Sequence, residues 1–313
     1  MDLLESLGTE GISLIADVLD ACPHNRYQSI WRRLSERTRA VELRKAGFGY
    51  GAIGRRVGVG KGQIVNWLTG RYDPLRRHVR PRVGPNLAYG IGAWLGDGTL
   101  MWDRKRWKHY TRLYVKDADF AKAFSESLAS CLGRQRPLHV SRRKDGRFSV
   151  AANNRILHDF LLASKTRPEL LKPIIVHHPR DFLAGFWDAE GSIYVAKSSH
   201  SIRCFNTRIE IVRLVMCALD RLAFHYTVNS RIREDQFKGP IDGKIYHRKH
   251  RVMHTISVRS CCHLKFQQTV DLRIKRKSER LGIIAESIGS KTECCLPPSE
   301  VSSASQLGGA AGI

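Results

Sequence analysis

Two short stretches, GIGAWLGDG at 90–98 and LAGFWDAEG at 183–191, decide how this chain is read. Set side by side, Gly92 matches Gly185, Trp94 matches Trp187, Gly96 matches Ala189, Asp97 matches Glu190 and Gly98 matches Gly191. Small residues spaced four apart stack on one helix face and let another helix come close. If the two faces meet, Asp97 and Glu190 arrive together at one end of the pair. Gly98 and Gly191 are expected to turn the chain out of each helix through a positive φ. A carboxylate at a helix C-terminus faces the negative end of the dipole, at a cost of about 0.3–1 kcal/mol. Two neighbouring carboxylates also repel each other. An arrangement this unfavourable, made twice, calls for a cation. Hard oxygen donors suit Mg²⁺, or Mn²⁺ in its place, and Mg²⁺ keeps waters and binds substrate phosphates. The bland alternative is a buried helix pair with incidental acids at its ends.

Working outward, each stretch opens a similar series of elements. The first series is a helix at about 86–96, strands DGTLMW and HYTRLYVK, the helix DADFAKAFSESLASCLG, a hairpin turning at Asp145-Gly146, and the helix NRILHDFLLAS. The second is RDFLAGFWDAEG, strands GSIYVAK and SIRCFN, the helix TRIEIVRLVMCALDRLAF, and strands near 225–234 and 251–259 split by the long loop FKGPIDGKIYHRKHR. Helices at about 260–271 and 273–288 close it. The expected fold class is α+β, with two αββαββα units at 87–179 and 180–289. A helical domain (1–76) and a basic linker (77–86) precede the units, and a Ser/Gly/Ala-rich flexible tail (290–313) follows them.

Within 1–34, Ile12, Ile15, Ala16 and Leu19 recur at helical spacing until Pro23 and Asn25 break the pattern. From Ser35 the sequence predicts helices at about 35–46, 50–57 and 60–69, with Gly58 in a sharp turn and Gly70 past the last helix. Ala52, Ile53, Val57, Val59, Ile64 and Trp67 would form a small core. The pattern resembles a helix-turn-helix, whose last helix would present Lys61, Gln63 and Asn66, followed by Arg71, to the major groove. A three-helix packing module with solvated charges is the alternative.

Fifty-three Lys and Arg face 29 Asp and Glu, a net charge of +24 and a pI near 10.1. That excess points to a polyanion, and its spread along the chain favours nucleic acid over a membrane surface. No run reaches the ~18 apolar residues of a membrane span. The acidic start MDLLESLGTE does not suit a signal peptide, so a cytoplasmic protein is expected. The eight cysteines lack C-x-x-C spacing, and the adjacent pairs Cys261-Cys262 and Cys294-Cys295 do not suit a zinc ribbon; they read as reduced thiols, and no zinc site follows from them.

The paired stretches resemble the motifs of the LAGLIDADG homing endonucleases: LAGFWDAEG matches the name-giving pattern at six of nine positions, while GIGAWLGDG keeps the small-residue spacing, the acid and the final Gly. The resemblance covers about 86–288, and the N-terminal helices are similar to an extension of some microbial members. It implies a single-chain, pseudo-twofold enzyme whose two curved antiparallel sheets form a saddle over a long, specific double-stranded DNA site. Asp97 and Glu190 would bind metal, each helping to cut one strand. The matched strand ends VKD (115–117) and FNT (205–207) would supply Lys116 and Asn206 to order active-site water; both could equally be helix-cap neighbours. The run RIKRKSER (273–280) would offer a lysine to phosphate or form a solvated basic face.

For base readout, strand alternation groups Arg112 and Tyr114 with Lys116, and Asn229 and Arg231 with Arg233, opposite Val228 and Ile232. Arg142 and Arg147 flank the first hairpin turn. Thr255, Ser257 and Arg259 form a similar row. A start at Met1 and an end without His-Asn argue against intein splicing and for a freestanding, intron-encoded enzyme. The other readings are a maturase binding intron RNA, a DNA-binding regulator that no longer cuts, and an inactive relic.

Overall fold

The computed structural model describes residues 1–21, 30–76, 78–196, 199–238, 244–247 and 250–288. The expected tail, the break at Pro23 and Asn25, and Cys22, Cys294 and Cys295 lie outside the described residues.

Helix α1 (Leu3–Asp20) begins at a capping box: the Asp2 carboxylate accepts from the Leu4 and Glu5 amides, and Glu5 accepts from the Asp2 amide at 2.9 Å. It kinks at Gly8, where φ is 60°. Its face of Leu3, Ile12, Ile15, Ala16 and Leu19 is buried. Helix α2 (Ile30–Lys45) starts earlier than the expected 35, because Ile30, Trp31 and Leu34 are buried and extend the apolar stripe. With α3 (Tyr50–Val57) and α4 (Lys61–Leu68) it encloses a small core of Ala40, Ile53, Ile64 and Trp67, against which Val57 and Val59 pack. Ala40 takes the place expected for Ala52, which is only half-buried.

Residues 1–76 do not form one separate body. Leu3, Ile15, Trp31 and Leu34 belong to the main core of the molecule, apart from the cluster around Trp67. The backbone seals this junction: the Leu3 amide donates to the Pro81 carbonyl at 2.8 Å, and Val83 donates to Met1 at 3.1 Å. The division between the two cores falls inside α2.

The first unit is α5 (Pro85–Asp97), β1 (Gly98–Asp103), β2 (Lys108–Val115), α6 (Ala118–Cys131), β3 (Val140–Arg142), β4 (Phe148–Asn153) and α7 (Arg155–Thr166). A short helix, α8 (Lys172–His177), leads to the second unit. That unit is α9 (Pro179–Glu190), β5 (Gly191–Val195), β6 (His200–Asn206), α10 (Ile209–Arg221), β7 (Tyr226–Ile232), β8 (Gln236–Lys238), β9 (Ile245–His247), β10 (Val252–Val258), α11 (His263–Thr269) and α12 (Lys275–Ile288). The pair β8–β9 is a separate two-stranded ribbon within the stretch expected to be a plain loop.

The fold is α+β, and its two sheets are wired alike. Strand order is β1-β2-β4-β3 in one and β5-β6-β10-β7 in the other, all antiparallel. In each sheet one face packs on the core, through Leu113, Val150 and Ala152 or through Ile202, Cys204 and Ile256. The opposite faces are open. At the centre, α5 and α9 each start with Pro at the first turn and are buried on nearly every side, as expected of helices without a wet face.

Candidate active site

Helices α5 and α9 touch backbone to backbone. A Cβ on Gly92 would fall 2.2 Å from the Phe182 carbonyl oxygen and 2.7 Å from the Phe186 nitrogen. A Cβ on Gly185 would fall 2.1 Å from the Tyr89 carbonyl oxygen and 2.9 Å from the Ala93 nitrogen. These contacts are reciprocal between matched positions, the signature of a local twofold relation. One turn further on, a Cβ on Gly96 would meet the Ala189 Cβ at 2.4 Å and the Glu190 Cγ at 2.9 Å. The helix ends carrying Asp97 and Glu190 are thereby brought together.

Gly98 and Gly191 serve a different purpose from the one expected. Both are extended, with φ of −85° and −77°, not left-handed. A Cβ on Gly98 would strike the Trp94 indole at 2.2 Å, and one on Gly191 the Trp187 carbonyl oxygen at 2.4 Å. Glycine is required there by crowding rather than by backbone conformation.

Among the described residues, neither Asp97 nor Glu190 forms a hydrogen bond or an ion pair within 4.0 Å. Burial, followed by repulsion from Asp97, pushes the Glu190 carboxyl up to about 7, against the pull of Lys277. Asp97 reaches solvent on its outer side. The protein packed beneath it still raises its carboxyl, Lys277 again opposing.

The second helix end is braced by a segment far away in sequence. Asp188, buried, accepts from the Tyr89 hydroxyl at 2.7 Å and from the amides of Arg273 and Ile274 at 3.0 and 3.2 Å. Lys277, 5% exposed, donates to the carbonyls of Trp187 and Asp188, both at 2.7 Å. Burial brings its ammonium down to about 8, with Asp188 acting the other way. Within RIKRKSER, then, one lysine lies inside the molecule at the carbonyl end of α9 rather than on a solvated face. Its neighbour Arg276 grips Asp117 of the first unit with two bonds of 3.1 Å, which holds the Asp117 carboxyl below its ordinary range. The sequence reading missed Asp188, Lys277 and Arg276. The dense positive run was the available signal, but nothing in it singled out Lys277.

A cavity of about 260 Å³ opens beside Asp97, lined also by Lys116, Asp117, Arg147, Asp188 and Arg276. Lys116 thus shares a cavity with Asp97. Asn206 is placed differently: its side-chain oxygen accepts from the Arg208 amide at 2.9 Å, shaping the turn into α10. The two residues are also not matched positions. Gly98 pairs with Leu113 and Gly191 with Cys204, and Asp117 and Arg208 precede α6 and α10. Counted from these anchors, Lys116 corresponds to Thr207 and Asn206 to Val115. A shift of one residue along a strand exchanges its faces.

Arg112 and Tyr114 lie on the open face of the first sheet, where Arg112 pairs with Thr99 and Ala151. Arg142 is exposed near the hairpin turn, and the Arg147 guanidinium lies 5.2 Å from the centre of the Tyr114 ring. The Tyr114 hydroxyl also donates to Asp145. On the second sheet, Arg231 and Asn229 are exposed and pair with Met253 and Thr255. Ile232, expected on the core side, is 75% exposed because the strand runs past the core. Arg233 lies beyond the end of β7, and its guanidinium donates to the His250 carbonyl. Arg259 follows the end of β10 and its amide donates to the His225 carbonyl, so it does not continue the row of Thr255 and Ser257. Arg203, opposite Ser192 and Ser257, is an exposed cation on the open face that the sequence reading did not select. In the N-terminal helices Lys61, Gln63, Asn66 and Arg71 are all exposed. Gln63 and Asn66 border a cavity with Arg33 and Tyr72, two further residues not foreseen.

Residues 178–270, from α9 through α11, match the family described as LAGLIDADG-like domain. The second unit of this chain is thus similar to that family's domain, and the match does not extend over the first unit. An uncharacterized protein of Methanocaldococcus jannaschii is 29% identical over 255 residues, which cover 79% of this chain and 91% of that protein. Among solved structures, the homing endonuclease I-DmoI in variant form shares 17% identity, with a TM-score of 0.42 over 60% of this chain and 96% of that one. The LAGLIDADG meganuclease I-AabMI shares 13%, with a TM-score of 0.39 over 67% of this chain and 93% of that one.

Proposed function

We propose that this protein is a site-specific DNA endonuclease of the LAGLIDADG family that cuts both strands with Mg²⁺ or Mn²⁺. One observation carries the reading: Asp97 and Glu190, from matched helix ends, meet without hydrogen bonds or ion pairs, and Glu190 is pushed up to about 7. A merely structural pair of carboxylates would find donors. Their unpaired oxygens are a fitting donor set for a hard divalent cation. Such a cation supplies polarisation of the phosphodiester, a more acidic water and stabilisation of the leaving oxygen.

The remaining work falls to the chain itself. Asp97 and Glu190 would hold the metal, and Lys116 and Arg276 border the adjoining cavity as positive charges for a phosphate. The open sheet faces, with Arg112, Arg203 and Arg231, would read the major groove. Helices α3 and α4 would act as a helix-turn-helix, with Lys61, Gln63, Asn66 and Arg71 toward DNA. The net charge of +24 suits that partner.

The test is incubation with plasmid carrying the presumed intron-insertion sequence, in Mg²⁺ or in EDTA. Discrete linear product is expected only with metal, together with binding that weakens steeply as salt rises. Linear product of equal yield in EDTA would overturn the reading. Binding without cutting would redirect it to a regulator or, if intron RNA competes, to a maturase.

A further inference from the structure

Beyond the end of the β7–β10 ladder, where Tyr226 faces Val258, one imidazole and two thiols converge: His225, Cys261 and Cys262. The two sulfurs are 4.0 Å apart, and the Cys261 sulfur is 3.8 Å from the His225 Nδ1. Each ligand atom lies within 4.8 Å of the others. In a tetrahedral zinc site, metal–sulfur bonds of about 2.3 Å place two sulfurs about 3.8 Å apart, and sulfur and imidazole nitrogen slightly closer. The donors therefore already stand near the spacing that one ion imposes.

Their placement is fixed by the fold. Two residues past the end of helix α10, Ala223 is left-handed (φ 51°), and the Phe224 amide donates to the Leu219 carbonyl at 3.0 Å, which sets the direction of His225. The Arg259 amide donates to the His225 carbonyl at 2.9 Å, tying the start of β7 to the end of β10. A tight 3-10 turn at Ser260–Cys262 then brings both sulfurs round to the imidazole. The His225 amide donates to the Cys262 sulfur at 3.2 Å, the kind of outer bond that steadies a thiolate ligand. Cys262 is fully buried and Cys261 half-buried, while His225 reaches the surface and gives an ion a way in.

We infer that His225, Cys261 and Cys262 form a binding site for a thiophilic divalent ion, with Zn²⁺ the natural occupant. Three protein donors leave the fourth position to water. Sulfur and imidazole select against Mg²⁺, so this site and the carboxylate pair would sort their metals by hardness. An ion there would clamp the β7–β10 edge, on which Asn229 and Arg231 are carried. The site stands independently of the proposed nuclease activity.

The test uses the full chain, reduced and stripped of metal, titrated with Co²⁺ and followed by absorption. The expected result is binding of about one ion with a thiolate-to-cobalt charge-transfer band. Zn²⁺ should abolish the band, and excess Mg²⁺ should not. His225→Ala and Cys261→Ser, both at positions that reach the surface, should each weaken binding by about 100-fold or more, beyond the range of outer-sphere changes. Circular dichroism confirms that the variants are folded. Should Cys262→Ser disrupt folding, the other two variants still decide the matter. Absence of the band, its persistence at full affinity in the His225→Ala/Cys261→Ser double variant, or a Cys261–Cys262 disulfide in the protein as purified would overturn the inference.

Discussion

The two helix ends that carry the acids are alike in backbone and unlike in support. Gly92 and Gly185 meet the opposite helix in the same way, and Gly98 and Gly191 fold under matched tryptophans. Around Glu190, however, the protein adds Asp188 and Lys277, both buried and hydrogen-bonded. At the position matching Asp188 the first unit has Leu95, which is only partly buried. Lys165, 5.8 Å over the Trp94 ring, is an exposed cation on that side. Symmetry is therefore strict where backbones touch and relaxed where charge is handled. The difference suggests two acids with equivalent roles and unequal surroundings.

The sharpest way to break this comparison is to neutralise each acid in turn. Asp97→Asn and Glu190→Gln should each lower double-strand cleavage by roughly 10²–10³-fold, an effect of the size seen when one charge-stabilising group is lost. Gel-shift binding should be largely kept. Full cleavage by either variant would end the case for a shared site. The glycines test the backbone half of the comparison. Gly92→Ala and Gly185→Ala should each cost about 3 kcal/mol or more, because the methyl group meets backbone that cannot yield. Thermal melts that differ widely between the two would show that the twofold relation is not strict.

Lys277→Met keeps the stem but removes the ammonium, leaving the Trp187 and Asp188 carbonyls without that donor. A loss of about 1–3 kcal/mol is expected. Nicked circles should also accumulate, since the second half-site loses its brace and the first does not. Equal slowing of both strands would argue that Lys277 supports the two acids alike.

The smallest effect concerns pH. The folded-state value of Glu190, about 7, lies above its ordinary 4.5, so the folded protein holds that proton more tightly than the unfolded chain. Its contribution is then fully present below pH 4.5 and is lost as pH rises through 7. Metal-free protein should lose melting temperature across that window, and Glu190→Gln should flatten the slope by about 1–2 kcal/mol. Mg²⁺ should restore stability to the wild type at pH above 7. An identical slope in the variant would remove Glu190 as its source.

The sequence made the centre legible because the helix contact is written in residues that repeat: small, small, acid, glycine. The order of strands could also be read, since hydrophobic alternation and the Asp145-Gly146 turn are local signals. What stayed hidden was set by distance along the chain. Lys277 meets the Trp187 carbonyl through chain folding, and nothing near Lys277 in sequence marks that contact. His225 likewise meets Cys261 and Cys262 only because β7 and β10 pair, so the cysteines alone did not suggest a metal. The offset between Lys116 and Asn206 was hidden because the first unit's opening hairpin is longer than the second's, so strand ends alone do not fix which residues correspond. The boundary at 76 failed for another reason: helical periodicity shows that α1 has an apolar face but not which core receives it.

The brace at 273–277 has a consequence for the birth of the protein. A nascent chain that has emerged only as far as α11 already contains both acids and both sheets. It lacks Lys277 at the carbonyls of α9, Arg276 on Asp117 and the amides that hold Asp188. The last described helix joins the two units across their shared centre, so under the proposed function competence to cut waits for residues made after both acids and both sheets. Under the proposed function, copies that stop before residue 273 would carry both acids and still cut poorly.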